Sequence, residues 1–544
     1  MQEGSYIWSH LQRQHRPVDK WIDGLWLIVL LFAAMILFNI NLGEMPLQDW
    51  DEGIVAQVAK EIWNAPTGSM SWLYPTLVGE PYQNQPPLMH WLVAWAYAWG
   101  GVNEWTTRLP GAVITAFSVP LLYCIARELF YLRWVAIYSA LIYLTMLPVI
   151  RNGRLAVVDG LGVTLLMLMM LCVLRSRRDL RYCLGVGISL GLICLTKGIL
   201  GIFLAAIVTV FLCWDTPRLL ASSYLWVGVF IGILPAIGWY LAQFMQYGYT
   251  SPIELGNESL NPINYIAHGQ AQPLWYYFIE IIKWTWPWLV FLPQTLRFTW
   301  DNRNFSWAKL IIVWTGVYLL LISLVQVKLP WYLFPIYPSL ALAFGFYVAQ
   351  IENASFSSYP RIWVTSFAIL AVAASGGSIY FSLGSISNTD LQIIFACIAL
   401  TMTLAAILAE RGDRQFLKIL IWGSYICLFL FIKSNYWIWE PGQAYPVKPV
   451  AAMITRANLK LEKIYTSFPY HRSSLDFYSD CTVIPASSRD LKYHWQSQQK
   501  PYLLVDNPTL DVLQLKSLQV IDQTAGWQLI TKGIVDNSKV KSYE

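Results

Sequence analysis

Three carboxylates stand close together in the stretch Gln48–Val58, whose sequence is QDWDEGIVAQV. They are Asp49, Asp51 and Glu52, and they follow the first long apolar run, Leu25 to Ile40. Because that run is long enough to reach most of the way across a bilayer, the acids are predicted to lie at a membrane face. Carboxylates at a membrane face could accept a proton or hold a cation.

The same stretch carries the signals of a helix start. Asp49 followed three residues later by Glu52 fits a capping box, and apolar residues then recur at helical spacing from Ile54. This places Asp51 in the first turn, where the helix dipole favours its ionised form. An alternative of about equal weight is that the acids only cap an amphipathic helix on the membrane surface.

Two further charged residues fall at the ends of apolar runs. Asp159 lies at the join between two of them, where a carboxylate near hydrocarbon depth is a functional candidate or forms a salt bridge with Arg151 or Arg154. Lys197 ends the run CLTKG and is either part of a site or extends to the interface.

A third cation and two histidines complete the candidates. Lys328, in VKLPWY, is predicted at a tight outer turn where a cation could meet an anionic head group. His90 and His268 have no partner at metal-ligand spacing, which favours satisfied or solvated histidines. The loop 245–272, which contains Glu258 and His268, suits sugar or acceptor binding, with an ordinary solvated loop as an equal alternative.

The composition defines the class of protein. The 544 residues are 56% hydrophobic and 13% charged, about half the charge of a soluble globular chain. Seven of the eight cysteines lie in apolar runs without a CxxC pair, which argues against a disulfide framework or a cysteine metal site. The chain is therefore predicted to be an α-helical polytopic membrane protein with about 13 transmembrane helices, near 25–41, 108–128, 132–150, 156–174, 182–197, 198–214, 223–244, 273–295, 309–326, 331–349, 361–382, 391–409 and 416–433.

The basic residues predict the orientation. With a cytoplasmic N-terminus, the inner loops collect most arginines and lysines, and the outer loops hold few. The short apolar stretch 86–101 is then a re-entrant or interfacial helix rather than a span. This orientation places the first loop 42–107, the loop 245–272 and the tail outside, in the periplasm if the source is a Gram-negative-type bacterium.

The chain is predicted to divide near residue 434. Residues 1–434 form the membrane domain, and residues 435–544 form a small extracytoplasmic α/β domain. Strand-like runs in the tail are separated by turn residues and by a helix near 509–515; they lie at 463–467, 481–484, 502–505 and 527–531.

Several motifs together carry a family resemblance. In order they are the Asp-Glu pair, YQNQPPL at 82–88, RLP at 108–110, Asp159, LTKG at 195–198, PLWYY at 273–277 and KLPWY at 328–332. Their order and spacing over about residues 20–350 resemble the GT-C class of lipid-linked-sugar glycosyltransferases. The likeness is greatest to the bacterial branch related to protein O-mannosyltransferases and to the aminoarabinose transferase that modifies lipid A.

The resemblance implies an inverting transfer of a hexose or pentose from a polyprenyl-phosphate donor to a lipid, glycan or protein acceptor on the outer face of a bacterial inner membrane. Asp51 would be the base, with Glu52 and Asp159 ordering its pocket. Because phosphate leaves as a stable anion, stabilising its charge is the main task of the protein. The predicted donor-phosphate ligands are Lys328, Lys197, Arg151 and Arg154, and the predicted substrate-binding residues are Tyr82, Asn84, Gln85, His90, Glu258, His268 and Tyr332.

The chain also departs from the family pattern. Relatives of the aminoarabinose type have an arginine where this chain has Ile54, and a Glu-Lys-Pro where it has Asn84-Gln85-Pro86. Two cations near the expected phosphate are therefore missing. No cofactor is certain, although a divalent metal ion could bind if the acids at 49, 51, 52 and 159 converge. A lipid-linked-glycan transporter or flippase and a non-catalytic glycan-binding member are the alternative functions; no nucleic acid partner is expected.

Overall fold

The protein is represented by a computed structural model that describes residues 17–49, 51–198, 201–248, 272–325, 328–353, 359–383, 387–438, 446–459 and 463–533. Helices dominate the first part of the chain and a small sheet forms in the tail. The helices are α1 Pro17–Asn39, α2 Asp51–Asn64, α3 Leu88–Gly100, α4 Glu104–Leu129, α5 Arg133–Leu144, α6 Leu147–Arg154, α7 Val158–Ser176, α8 Tyr182–Lys197, α9 Gly201–Asp215, α10 Ser223–Tyr247, α11 Tyr276–Trp284, α12 Leu292–Asp301, α13 Ser306–Leu324, α14 Tyr337–Asn353, α15 Arg361–Ser382, α16 Thr389–Glu410, α17 Gln415–Lys433, α18 Val447–Arg456, α19 Ser473–Ser479, α20 Ser488–Ser497 and α21 Asn507–Leu513.

The helices confirm a polytopic membrane protein. Within the described ranges, nine are long and apolar enough to cross a membrane, or ten if the bent pair α5 and α6 is one span. Helices α8 and α9 are shorter apolar helices at two more of the predicted positions. Helix α3 has 13 residues, fewer than the roughly 20 that a span needs.

One predicted span, 273–295, is wrong as a continuous helix. The structure divides it into α11, a 3₁₀ turn at Trp288–Phe291 and the start of α12. Pro287 and Pro293 lie at the beginnings of the two later elements, where a missing backbone N–H is tolerated. A proline inside a helix removes a backbone hydrogen bond, so each proline disfavours continuation of the helix before it. An apolar composition alone did not reveal these breaks.

Glycines allow two helices of the membrane part to touch backbone to backbone. Gly187 and Gly191 of α8 face Gly228 and Gly232 of α10. A Cβ atom at Gly191 would lie 1.6 Å from the carbonyl oxygen of Gly232, so no side chain fits there. Small residues four apart on each helix are a common means of close packing in membranes. This contact fixes the position of α8, which ends at Lys197.

Contacts divide the described chain into two compact units. The helical unit comprises the residues up to Leu42, Gln83–Met89 and Arg108–Ile438. The sheet unit comprises Gly43–Tyr82, His90–Thr107 and the described tail after Ile438. Most of the predicted first outer loop therefore belongs to the same unit as the tail, whereas the sequence boundary near 434 assigned that loop to the membrane domain.

The tail is an α/β structure built on a mixed sheet. Its strands are β3 Lys463–Thr466, β4 Thr482–Pro485, β5 Tyr502–Asp506, β6 Leu518–Thr524 and β7 Trp527–Lys532, in the order β4-β3-β5-β7-β6; a small hairpin, β1 Thr76–Leu77 and β2 Glu80–Pro81, precedes them. The pairs β3–β4 and β3–β5 are parallel, and β5–β7 and β6–β7 are antiparallel. Four strands match predicted runs, and β6 was not predicted.

Alternation along the central strands gives the sheet two covered faces. Leu504 and Leu529 pack with α18 in one apolar cluster, whereas Leu503 and Ile530 pack with Trp495 of α20 in the other. Successive strand residues point to opposite faces, so a strand buried on both sides reads as a continuous apolar run. The run Tyr502–Val505 has this character.

The α8–α10 contact leads to a first prediction. We expect Gly191→Ala to lower the free energy of unfolding by about 1–3 kcal/mol, because its methyl group overlaps the backbone of α10. The measurement is the thermal midpoint of the detergent-solubilised protein. Gly238→Ala, which is in α10 and has open space around the new methyl group, is the control and should leave the midpoint unchanged or raise it. Equal midpoints for the two variants would contradict the close packing.

Candidate active site

The first site group lies at the start of α2, in the sheet unit. The backbone N–H of Gln48 donates to Oε2 of Glu52 at 3.0 Å, and the N–H of Gly53 donates to the carbonyl of Gln48 at 2.7 Å. Glu52 is completely buried by this arrangement. Asp51, in the first turn, keeps partial exposure. The predicted helix start is therefore confirmed, and Asp51 is the more exposed carboxylate of the pair.

Asp49 has a different role from the predicted one. Glu52 closes the capping interaction onto Gln48 rather than onto Asp49. The carboxylate of Asp49 instead accepts from Nε of Arg472 at 2.7 Å and from the hydroxyl of Ser474, and it is 4% exposed. Both oxygens are thus engaged by the tail, 423 residues further along the chain. This pairing does not suit Asp49 as a metal ligand.

The second site group lies in the helical unit. Asp159 is in the first turn of α7, and Lys197 is in the last turn of α8. The ammonium of Lys197 donates to Oδ1 of Asp159, and each side chain is only 7% exposed. The structure thus pairs Asp159 with Lys197 rather than with Arg151 or Arg154, and Lys197 does not extend to an interface.

Gly162 makes room for this ion pair. A Cβ atom at Gly162 would lie 2.9 Å from Cε of Lys197, so the apolar stem of the lysine crosses α7 where that helix has no side chain. Gly198, the last residue of the LTKG motif, has a φ of +56° and ends α8. Its own absent Cβ would lie 2.8 Å from the hydroxyl of Tyr240. Both glycines are therefore needed to place the lysine.

An apolar pocket lies beside Lys197. Its lining combines that ammonium with aromatic and aliphatic side chains: Phe203, Leu204, Tyr318, Ile322, Val325 and Tyr332. Lys328 lies next to this wall, since its ammonium donates to the carbonyl of Val325 at 2.7 Å. Burial lowers the pKa of Lys328. The wall of this small cavity thus combines one ion-paired lysine with apolar side chains, and a second lysine lies beside it.

Arg154 is placed as a structural cation. Its guanidinium donates to the carbonyls of Leu37 at 2.6 Å and Ile40 at 2.5 Å, and it lies 4.3 Å from the ring centroid of Trp437. Because it is completely buried in these contacts, it does not suit donor-phosphate binding. Arg151 in the same helix, α6, is half-buried and keeps its place as a predicted phosphate ligand.

The predicted substrate-binding residues that the structure describes belong to both units. Tyr82 and His90 meet edge to face in the sheet unit with ring centroids 5.5 Å apart, and both are buried. Asn84 is exposed and Gln85 is half-buried in the helical unit. Glu258 and His268 lie outside the described residues. Among the residues that the structure describes, no three His, Cys, Asp or Glu side chains come together to hold a metal ion.

Sequence reasoning missed Arg472, Ser474 and Glu280. No local pattern marks Arg472 and Ser474 as partners of Asp49. Glu280 did carry a signal, because it is an acid inside the apolar run 273–295. It is 7% exposed and accepts from Nε1 of Trp284 at 2.6 Å.

Comparison with known proteins finds similarity to transferases of the kind that the motifs resemble. Residues 84–240 match the family described as dolichyl-phosphate-mannose-protein mannosyltransferase. The undecaprenyl phosphate-alpha-4-amino-4-deoxy-L-arabinose arabinosyl transferase 1 of Pseudomonas fluorescens is 28% identical over 59% of this chain and 59% of its own length. The corresponding transferase of Pectobacterium carotovorum is 29% identical over 64% of each chain. The match thus spans less than two-thirds of either relative.

A solved structure extends the likeness to the whole fold. ArnT from Cupriavidus metallidurans, crystallised with undecaprenyl phosphate, superposes with a TM-score of 0.72 at 17% identity, covering 94% of this chain and 98% of that one. The chain is thus an integral membrane protein with the GT-C fold, as the motif resemblance predicted.

The buried pair leads to a second prediction. We expect Lys197→Met to lower the free energy of unfolding by about 3–5 kcal/mol, because the Asp159 carboxylate would stay buried without its cation. Lys283→Met removes a lysine that is 55% exposed and should cost less than about 1 kcal/mol. Thermal midpoints in the same detergent measure both. A Lys197→Met midpoint no lower than that of Lys283→Met would contradict a buried ion pair.

A pH effect is predicted next to Asp49. Burial alone would lower the pKa of His471, but its 2.7 Å contact with the Asp476 carboxylate outweighs burial and raises that pKa above the ordinary value. The contact therefore stabilises fully below about pH 6.5, and its contribution is lost as the pH rises through the raised pKa. We expect the difference in thermal midpoint between wild type and His471→Gln to be largest near pH 6 and to shrink by about pH 9. A midpoint difference that does not change with pH would refute the ion pair. Asp476→Asn, which removes the carboxylate partner, should abolish the pH dependence of that difference.

Proposed function

We propose that the protein is a glycosyltransferase of the bacterial inner membrane that moves a sugar from a polyprenyl-phosphate carrier to an acceptor on the outer face. The observation that carries the proposal is the pocket beside Lys197, in which a buried ammonium lies among apolar walls. A polyprenyl phosphate has the matching chemistry, an anionic head on a hydrocarbon chain. Lys328 beside the pocket supplies further positive charge.

These two lysines are the proposed substitutes for the cations that the sequence lacks. Family relatives of the aminoarabinose type have basic residues where this chain has Ile54 and Gln85. Lys197 and Lys328 would take their place at the donor phosphate, with Arg151 as a third candidate. A lysine meets phosphate as a compact point charge, so it can replace an arginine when a planar two-point contact is not needed.

Asp51 is proposed as the base. Its carboxylate takes the proton of an acceptor hydroxyl, and the acceptor oxygen forms a bond to the anomeric carbon as the bond to phosphate breaks. The electron pair leaves with the phosphate oxygen, so no acid is needed on that side. A single displacement of this kind inverts the anomeric centre. Glu52, buried in the helix cap, orders the backbone around the base.

The sugar and the acceptor are finer proposals. The names of the relatives point to 4-amino-4-deoxy-L-arabinose on undecaprenyl phosphate as the first donor to test. The matching family model makes a mannosyl donor the second. The acceptor is a hydroxyl or phosphate of a lipid such as lipid A, a glycan or a protein. A divalent cation stays a prediction.

Transport and simple glycan binding are the competing functions. Transporters place charged residues and broken helices near the bilayer midplane. Here Asp159 is in the first turn of its helix and Lys197 in the last turn of its own. Charges at helix ends favour chemistry at one face of the membrane over passage across it.

Asp51→Asn is predicted to abolish transfer while donor binding is kept. Purified wild type and variant are placed in lipid vesicles with radiolabelled polyprenyl-phosphate sugars and native membrane acceptors, and label transfer is measured. Removal of a general base typically costs about 10²–10⁴-fold in rate. Asp511→Asn, an exposed acid in the tail, is the matched control and should transfer like wild type.

The outcomes separate the functions. Transfer by wild type that stops in a folded Asp51→Asn supports the enzyme and its base, and the active donor identifies the sugar. Donor binding by both proteins without transfer of any label would refute the enzyme and favour transport or binding.

A further inference from the structure

The first turn of α2 is enclosed by residues of the tail within the sheet unit. Nε of Arg472 donates to Oδ2 of Asp49 at 2.7 Å, and the hydroxyl of Ser474 donates to Oδ1. Asp49 and Arg472 are each 4% exposed, and Ser474 is completely buried. Each carboxylate oxygen of Asp49 therefore accepts a hydrogen bond from a different residue of the tail.

A second contact lies on the other side of Asp51. The absent side chain of Gly53 lets the backbone N–H of Ser474 approach, since a Cβ atom at Gly53 would lie 2.7 Å from that nitrogen. Further along α2, the ammonium of Lys60 donates to the carbonyl of Phe477 at 2.6 Å and to Asp480. Helix α19 thus follows α2 over about two turns.

Arg472 is itself fixed. Its guanidinium carbon lies 5.2 Å from the ring centroid of Phe468, and its side chain is only 3% exposed. A charge-assisted hydrogen bond is directional, so the fixed guanidinium sets the orientation of Asp49 more narrowly than an apolar contact would. Asp49 and Gly53, which lie on either side of Asp51 in the sequence, thus both contact the tail.

Asp51 lies between these two held positions. We propose that Arg472 and Ser474 are positioning residues for Asp51, so that the tail orients the base and takes part in sugar transfer without touching a substrate. The proposal rests on the proposed function. It assigns the tail a role in the rate of transfer, beyond its role as a folded domain.

The test combines changes at Arg472 and Asp51. Arg472→Gln is made in the wild type and in Asp51→Asn, and sugar transfer is followed over long incubations so that residual activity is measured. In the wild-type background we expect kcat to fall by about 10–100-fold with the donor KM within about twofold, because a shift of about 1 Å in a reacting group can cost 10² in rate. In the Asp51→Asn background we expect no further loss, because Arg472 acts through Asp51.

Two variants control for unfolding. Arg456→Gln removes the arginine of an exposed ion pair with Asp522 in the same tail and should keep wild-type kcat. Ser474→Ala leaves the Asp49–Arg472 ion pair in place and should lower kcat by a smaller factor, about threefold to tenfold, with an unchanged donor KM. Ser474→Ala decides the question if Arg472→Gln does not fold, as judged by its thermal midpoint and by donor binding.

Two results would overturn the proposal. Wild-type kcat in folded Arg472→Gln, or in Ser474→Ala where the arginine variant does not fold, would show that the tail does not orient the base. An equal loss on adding Arg472→Gln to wild type and to Asp51→Asn would show a general structural role. If wild type transfers no sugar, the proposed function fails first and this inference falls with it, which is a distinguishable outcome.

Discussion

A charge taken out of water must be paired or hydrogen-bonded where it lies, and this constraint shapes both units of the protein. In the helical unit, Asp159 and Lys197 neutralise each other where the ends of two helices meet. In the sheet unit, Asp49 and Arg472 do the same. An unpaired buried charge costs several kcal/mol, so removal of either partner lowers the free energy of unfolding. Gly162 leaves space for the side chain of Lys197 and so allows this pairing.

The constraint also separates neighbouring acids by function. Asp49 is satisfied by the tail and Glu52 by the backbone of Gln48, and both are buried. Asp51 between them keeps partial exposure at a helix N-terminus, where the dipole favours a carboxylate. Three acids within four residues thus have three environments. The surroundings of each acid, and not its residue type, decide how exposed it is.

Local pattern was enough for much of the fold. Apolar runs gave nearly all of the membrane helices, and strand-like runs between turn residues gave four strands of the tail, including Tyr502–Asp506. The strand Leu518–Thr524 was missed because its alternating polar residues do not read as a buried run. The span 273–295 was wrong because prolines interrupt a stretch whose mean composition is apolar.

The candidate site, too, could be predicted only in part from the local sequence. The helix start and Glu52 as its cap followed from residues within one turn. The partners of Asp49 and Asp159 lie 423 and 38 residues away, and nothing in the local sequence connects them. Pairing at such distances is decided by tertiary packing, such as the glycine contact between α8 and α10. Sequence alone could name Lys197 and Asp159 as candidates but could not join them.

The central claim is that Asp51 supports one direct displacement at the anomeric carbon. The most direct measurement is the anomeric configuration of the product, determined by NMR after transfer from a polyprenyl-phosphate sugar of known configuration by the purified protein. The account predicts a product of opposite configuration to the donor. A product with the configuration of the donor would require a covalent or second displacement step and would contradict the assignment of Asp51 as a base acting on the acceptor.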